Sequence, residues 1–180
     1  MAPLAEADVV IEDGRIVGVG PGLDGDESVD CEGKVLLPGL FDTHVHVTGT
    51  YEDDELTIQH RPFSYGFYQT PKNLQTTIEL GITSVRDAGG ADAGLRKAVQ
   101  DGLLVGPRMQ ISVTMLSMTG GHNDEWLPSG GHPGGWIPYP GFPDGVCDGV
   151  DGVRQKVREV IRAGADVIKI ASSGGFFSPA

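Results

Sequence analysis

Two textures follow one another along the chain. Over residues 7–37 the apolar positions fall in short runs separated by tight-turn residues, the pattern of a small antiparallel sheet. Ala7-Asp8-Val9-Val10-Ile11 is one run, and Asp13-Gly14 is a hairpin signal ahead of Arg15-Ile16-Val17-Gly18-Val19. A Gly/Asp-rich turn at 21–26 leads to two further expected strands, 28–32 and 33–37. From Pro38 onward, strand-like runs alternate with helical spacing. The pattern predicts strands over 40–47, 82–86, 109–113 and 167–171, and helices over 73–80, 93–100 and 150–162. Gly81 and Gly164 stand where helices commonly end. In the last helix Val150, Val153, Val157, Val160 and Ile161 share one side. Strands and helices alternating at this spacing predict an α/β fold with a parallel sheet and right-handed crossovers.

The third strand and the helix after it are separated by a Gly/Pro-rich stretch, residues 117–148. Long loops without regular structure are usually site-covering, binding or disordered segments. This one holds His122, His132, Trp126, Trp136 and Tyr139, residues that disordered linkers rarely carry, so an ordered, lid-like loop is expected.

Composition narrows the function classes. The 180 residues suffice for an ordinary core, and 39% are apolar. The formal net charge is −12, from 13 basic and 25 acidic residues, which argues against nucleic acid or an anionic membrane surface as partner. No apolar run approaches the roughly 18 residues of a membrane helix, and Met1 to Glu6 lacks the features of a secretion signal. Cys31 and Cys147 lie far apart and have no second Cys or His at ligand spacing, so both read as structural. The expected location is the cytoplasm.

Phe41-Asp42-Thr43-His44-Val45-His46-Val47 carries the most chemistry. Side chains at i and i+2 of a strand point to the same side, so His44 and His46 can present two imidazoles to one point, where they suit zinc or a similar first-row metal. Two histidines paired incidentally on a solvated strand end give the same spacing. Lys169 is the second signal. Flanked by Val167, Ile168, Ile170 and Ala171, it is costly in a buried strand unless paired. It either snorkels from the strand end to solvent, forms an ion pair across the fold, or has a special role.

These stretches resemble a known family. Gly33-Lys34-Val35-Leu36-Leu37-Pro38-Gly39-Leu40-Phe41-Asp42-Thr43-His44-Val45-His46 is similar to the first-strand signature of the amidohydrolase superfamily. Gly81-Ile82-Thr83-Ser84-Val85-Arg86-Asp87-Ala88-Gly89-Gly90 looks like the second strand of its imidazolonepropionase and Xaa-Pro dipeptidase-like branch, and Gly164-Ala165-Asp166-Val167-Ile168-Lys169-Ile170 like that branch's fourth. The resemblance implies strands of a small, partial β-sandwich domain over 1–37, then the N-terminal half of a metal-dependent (β/α)8 TIM-type barrel over 38–180. It also implies a binuclear centre of two divalent ions, zinc by expectation. His44 and His46 are the metal ligands, and Lys169, carrying a CO2-derived carbamate, bridges the two ions as ligand and catalytic group.

His122 is, by the same resemblance, a substrate-contacting catalytic residue. His132 reads as an exposed loop or lid histidine, and His60 as an exposed loop histidine. Arg86 and Asp87 are expected to stabilise the barrel mouth, and residues 172–175 to offer backbone N–H groups. The remaining metal ligands and the general base belong to later strands. A barrel needs roughly 250 residues, so the C-terminal half is expected from the same gene product or a second chain, within a homo-oligomer. The implied activity is cleavage of an amide or peptide bond in a dipeptide or N-acyl amino acid by a metal-bound hydroxide. The alternatives are a cyclic amide or imidazolone hydrolase, a deaminase, or a non-catalytic scaffold of the same fold.

Overall fold

The structure, a computed structural model, describes residues 6–49, 57, 60–128 and 139–175. The chain divides into two compact units, Met1–Pro38 and Gly39–Ala180. In the first, β1 (Asp8–Glu12) and β2 (Arg15–Gly20) form an antiparallel hairpin with a bulge between Val10 and Ile11. Asp13 and Gly14, at φ 49° and 71°, supply the two left-handed positions that match a two-residue turn to the twist of its strands. The strands expected over 28–32 and 33–37 do not form. Val29, Val35, Leu36 and Leu37 are exposed there, and a strand persists only where a neighbour pairs with its backbone.

The second unit begins with β3 (Leu40–Val45), β4 (Ile82–Asp87) and β5 (Arg108–Ile111), hydrogen-bonded in that order as a parallel sheet. The helices α1 (Tyr65–Glu79) and α2 (Ala93–Gln100) connect them, with α1 packed on β4 and α2 on β5. Alternation decides the two faces of the sheet. Val45, Val85, Met109 and Ile111 turn toward the helices and join Val47, Leu74, Ala91 and Val113 in the core. Arg86, Arg108 and Gln110 turn to the other, open face.

Helix α1 starts at Tyr65 rather than at residue 73, so the expected helix is the second half of a longer one. Pro71 sits inside it, where its missing N–H interrupts the usual ladder, and Thr70 Oγ1 donates to Gly66 O just ahead of it. Gly39 is held tightly against the sheet: a Cβ there would collide with the Thr83 side chain.

Beyond β5 the chain kinks. Val113 has a φ of 63°, rare for a β-branched residue, and Thr114 N donates to Ser112 O around it. The chain then resumes as β6 (Met115–Leu116), which pairs in parallel not with β4 but with β7 (Lys169–Ile170). Between them comes α3 (Gly149–Arg162), whose Val160 is fully buried. The last strand is therefore two residues long instead of five. Asp166 N and Val167 N still donate to Ile111 O, and Ala171 N to Leu116 O. Nor is this strand buried: Lys169 is half-exposed and Ile170 is 60% exposed, because the described residues flank it on one side only. No helix among the described residues is long and apolar enough to cross a membrane.

Candidate active site

The site starts at the end of β3, where the register against β4 shifts between Asp42 and Val45. Val47 is buried in the core and Val45 packs against it, while His44 is left exposed and His46 half-buried beside them. Their ring centroids lie 5.4 Å apart, edge to face. His44 is exposed, and its backbone N–H donates to Asp42 Oδ1 at 3.0 Å. His46 is half-buried just past the strand, and its Nδ1 donates to the carbonyl of Gly89 at 2.9 Å. A carbonyl can only accept, so in the neutral ring the proton sits on Nδ1 and the lone pair on Nε2.

Asp87 lies behind this strand, fully buried at the end of β4. Oδ2 accepts from Val47 N at 2.8 Å, while Oδ1 accepts from Gly89 N at 3.0 Å and Ala91 N at 3.1 Å. Burial pushes its carboxyl above the usual range, against the pull of those three N–H groups and of the nearby His46. Arg86 ties the same two strands from the open face, its Nε donating to Thr43 O at 2.8 Å. Asn73 of α1 holds the chain after His46, its Nδ2 donating to Val47 O at 2.8 Å and Gly49 O at 3.1 Å.

Lys169 reaches this end of the sheet through the kink at Val113, which lets Met115 pair with it. The pKa of His44 is lowered by partial loss of solvent, then by the positive charges of Lys169 and His46, against an upward pull from Asp42. A lowered imidazole favours the neutral form that binds metal. With the Nε2 lone pair of His46 defined by its Nδ1 bond, the donor set fits a divalent first-row ion. Among the described residues, no three His, Cys, Asp or Glu side chains gather around one point.

His122 is half-buried, and a Cβ at Gly175 would overlap its ring, so the loop after β6 lies directly against the segment after Lys169. His60 sits in an exposed turn, and His132 lies outside the described residues. The ends of the 117–148 loop are pinned together. Cys147 N donates to Ser117 O at 2.8 Å, Ser117 N donates to Gly145 O at 3.1 Å, and Thr119 donates to Asp148 from both N and Oγ1. Tyr139, at the edge of the loop's second described stretch, donates its hydroxyl to Asp92 Oδ2 at 2.8 Å and packs among Phe63, Phe67 and Phe142.

Sequence pattern pointed to His44 and His46 through their spacing. It named Asp87 and Arg86 as stabilising residues at the strand end, but not the backbone partners of Asp87 or the clamp of Asn73, which are distant in sequence. The one available signal was Asp87 standing directly before Ala88-Gly89-Gly90.

The second unit thus presents paired histidines at the end of the first strand of a parallel βα framework. The chain belongs to the amidohydrolase family, whose description matches residues 35–180. It is 37% identical over 155 residues to the ochratoxinase of Aspergillus niger, an alignment covering 80% of this chain and 32% of that protein. Among solved structures it is similar to a prolidase complexed with N-methylphosphonate-L-proline, at 37% identity and a TM-score of 0.72, covering 98% of this chain and 44% of that one. It also resembles a Xaa-Pro dipeptidase with bound methionine, at 28% identity and a TM-score of 0.70, covering 96% of this chain and 43% of that one. The chain thus spans about a third of the curated relative and less than half of each solved structure.

Proposed function

We propose that this chain carries the first part of a hydrolase site that cleaves an amide or peptide bond in a small substrate, a dipeptide or an N-acyl amino acid. The observation that carries the reading is the edge-to-face pairing of His44 with His46 at the end of a parallel sheet. Family membership supports the reaction class, and the prolidase, Xaa-Pro dipeptidase and ochratoxinase likenesses support a small substrate.

In this reading His44 and His46 would hold one divalent ion, zinc by preference, and Lys169, as a carbamate built from CO2, would be the ligand shared with a second. Metal held there would supply a water of lowered pKa and polarisation of the scissile carbonyl. The protein's own part is orientation. Asp42 and Asp87 hold the backbone on either side of the histidines, Gly89 fixes the protonated nitrogen of His46, and Arg86 fastens β3 to β4. His122, against the segment after Lys169, contacts the substrate. The remaining ligands and the general base come from the other half of a (β/α)8 barrel, supplied by the same gene product or by a second chain.

The test uses the intact protein. Metal analysis is expected to find close to two first-row ions per site, with hydrolysis of Xaa-Pro or N-acyl amino acid substrates. His44→Ala with His46→Ala should abolish both. Full activity in that double variant, or absence of metal from the active wild type, refutes the reading. Lys169→Ala separates it from a mononuclear cyclic-amide hydrolase or deaminase, because only the binuclear site loses its second ion.

A further inference from the structure

We propose that Asp87 is a positioning residue that sets the tautomer and direction of the His46 ring, acting through the peptide groups of Gly89. The geometry runs in an unbroken line. The Gly89 N–H is bound by Asp87 Oδ1, and the Gly89 carbonyl accepts from His46 Nδ1. The same carboxylate holds Val47 N, the residue directly after His46, with its other oxygen. One buried group therefore fixes the histidine from both ends: the backbone that carries it and the acceptor that its ring addresses.

The chain is shaped for this. Gly89 and Gly90 take φ values of 148° and 108°, which residues with side chains rarely adopt, and this lets the turn fold back onto the carboxylate. Gly90 N then donates to Val113 O at 2.8 Å, and Ala88 N to Val45 O at 2.8 Å, so the turn is tied to the strands on both sides. An ordinary structural aspartate would satisfy one loop. Asp87 instead spans β3, the turn and, through Ser112 N on its backbone carbonyl, the end of β5. A carboxylate is required because it offers two accepting oxygens. An amide of the same shape turns its NH2 toward either Val47 N or the Gly89–Ala91 turn, releasing one of the two anchors.

The ring-orienting role stands on geometry alone; its consequence for metal affinity rests on the reading of His46 as a ligand. The test is ring nitrogen and carbon NMR of the intact protein after metal removal, with His46→Gln assigning the signal. In the wild type His46 is expected as the Nδ1–H tautomer. In Asp87→Asn it is expected to shift toward a mixture with the Nε2–H form, with zinc affinity, read by chelator competition, falling about 10- to 100-fold. A wild-type His46 in the Nε2–H form overturns the proposal whether or not the variant folds. So does a folded Asp87→Asn protein whose His46 tautomer is unchanged. If the tautomer shifts as expected while neither protein binds zinc, the positioning role stands and the metal-ligand reading fails.

Discussion

Asp166 offers a test of how β7 is held in place. Its Oδ2 accepts from Ile111 N at 2.9 Å and from Arg96 Nη1, so one oxygen stands where a neighbouring strand's carbonyl would be. Ile111 is fully buried, while the Arg96 and Asp166 side chains are 22% and 35% exposed. Asp166→Ala strands the Ile111 amide, which costs about 1–3 kcal/mol, and also loses an ion pair worth about 0–1 kcal/mol. Arg96→Ala loses only the ion pair and some packing, about 1 kcal/mol in total. Asp166→Asn keeps an acceptor for Ile111 and should fall near the arginine variant. The expected order of stability is therefore wild type, then Arg96→Ala and Asp166→Asn, then Asp166→Ala. Chemical denaturation followed by circular dichroism, with midpoints compared at a common slope, reads that order. If Asp166→Ala is no less stable than Arg96→Ala, the amide contact is not what holds this junction.

Other consequences follow from single residues. Leu74→Ala, at a position with no exposure, should cost about 2–5 kcal/mol in the same unfolding measurement. Asp92 caps α2 through Leu95 N and accepts from Tyr139, whose ionisation is pushed above the ordinary tyrosine range by burial first and by Asp92 second. Asp92→Ala should therefore lose about 1 kcal/mol of stability. In ultraviolet titration its late-ionising tyrosine should move down yet stay above normal, since burial remains. Burial and the Asp148 carboxylate raise the Cys147 thiol, so less thiolate is present at a given pH. A thiol-alkylating reagent near pH 8 should modify exposed Cys31 first, with the Cys147 rate still climbing at higher pH. Equal rates at both cysteines across pH 7–10 would contradict that ordering.

Much of the framework was legible in the pattern of apolar positions. Strand β4 and the helix at 93–100 lie where their runs and the Gly102 stop place them, because both are set by local periodicity. Features that depend on distant partners were hidden. Residues 28–37 have strand composition and stay unpaired, since pairing requires a neighbour that composition cannot supply. The first half of α1 was concealed by Pro71, and the break in the third strand by a valine whose backbone angle violates the usual preference. For the site, spacing exposed His44 and His46, while the hold of Asp87 on Val47, forty residues away in sequence, left only a glycine pair as its trace.

The division of labour around Val113 and Asp87 bears on transplantation. A designer moving this histidine pair to another scaffold would be tempted to graft residues 40–47 alone, as a portable strand. The ring direction, however, is written in residues 87–91, and the lysine pairs with Met115 just past the break at residues 112–114. The smallest transferable cassette is therefore discontinuous, four segments carried together, and a shorter graft would keep the histidines while losing their aim.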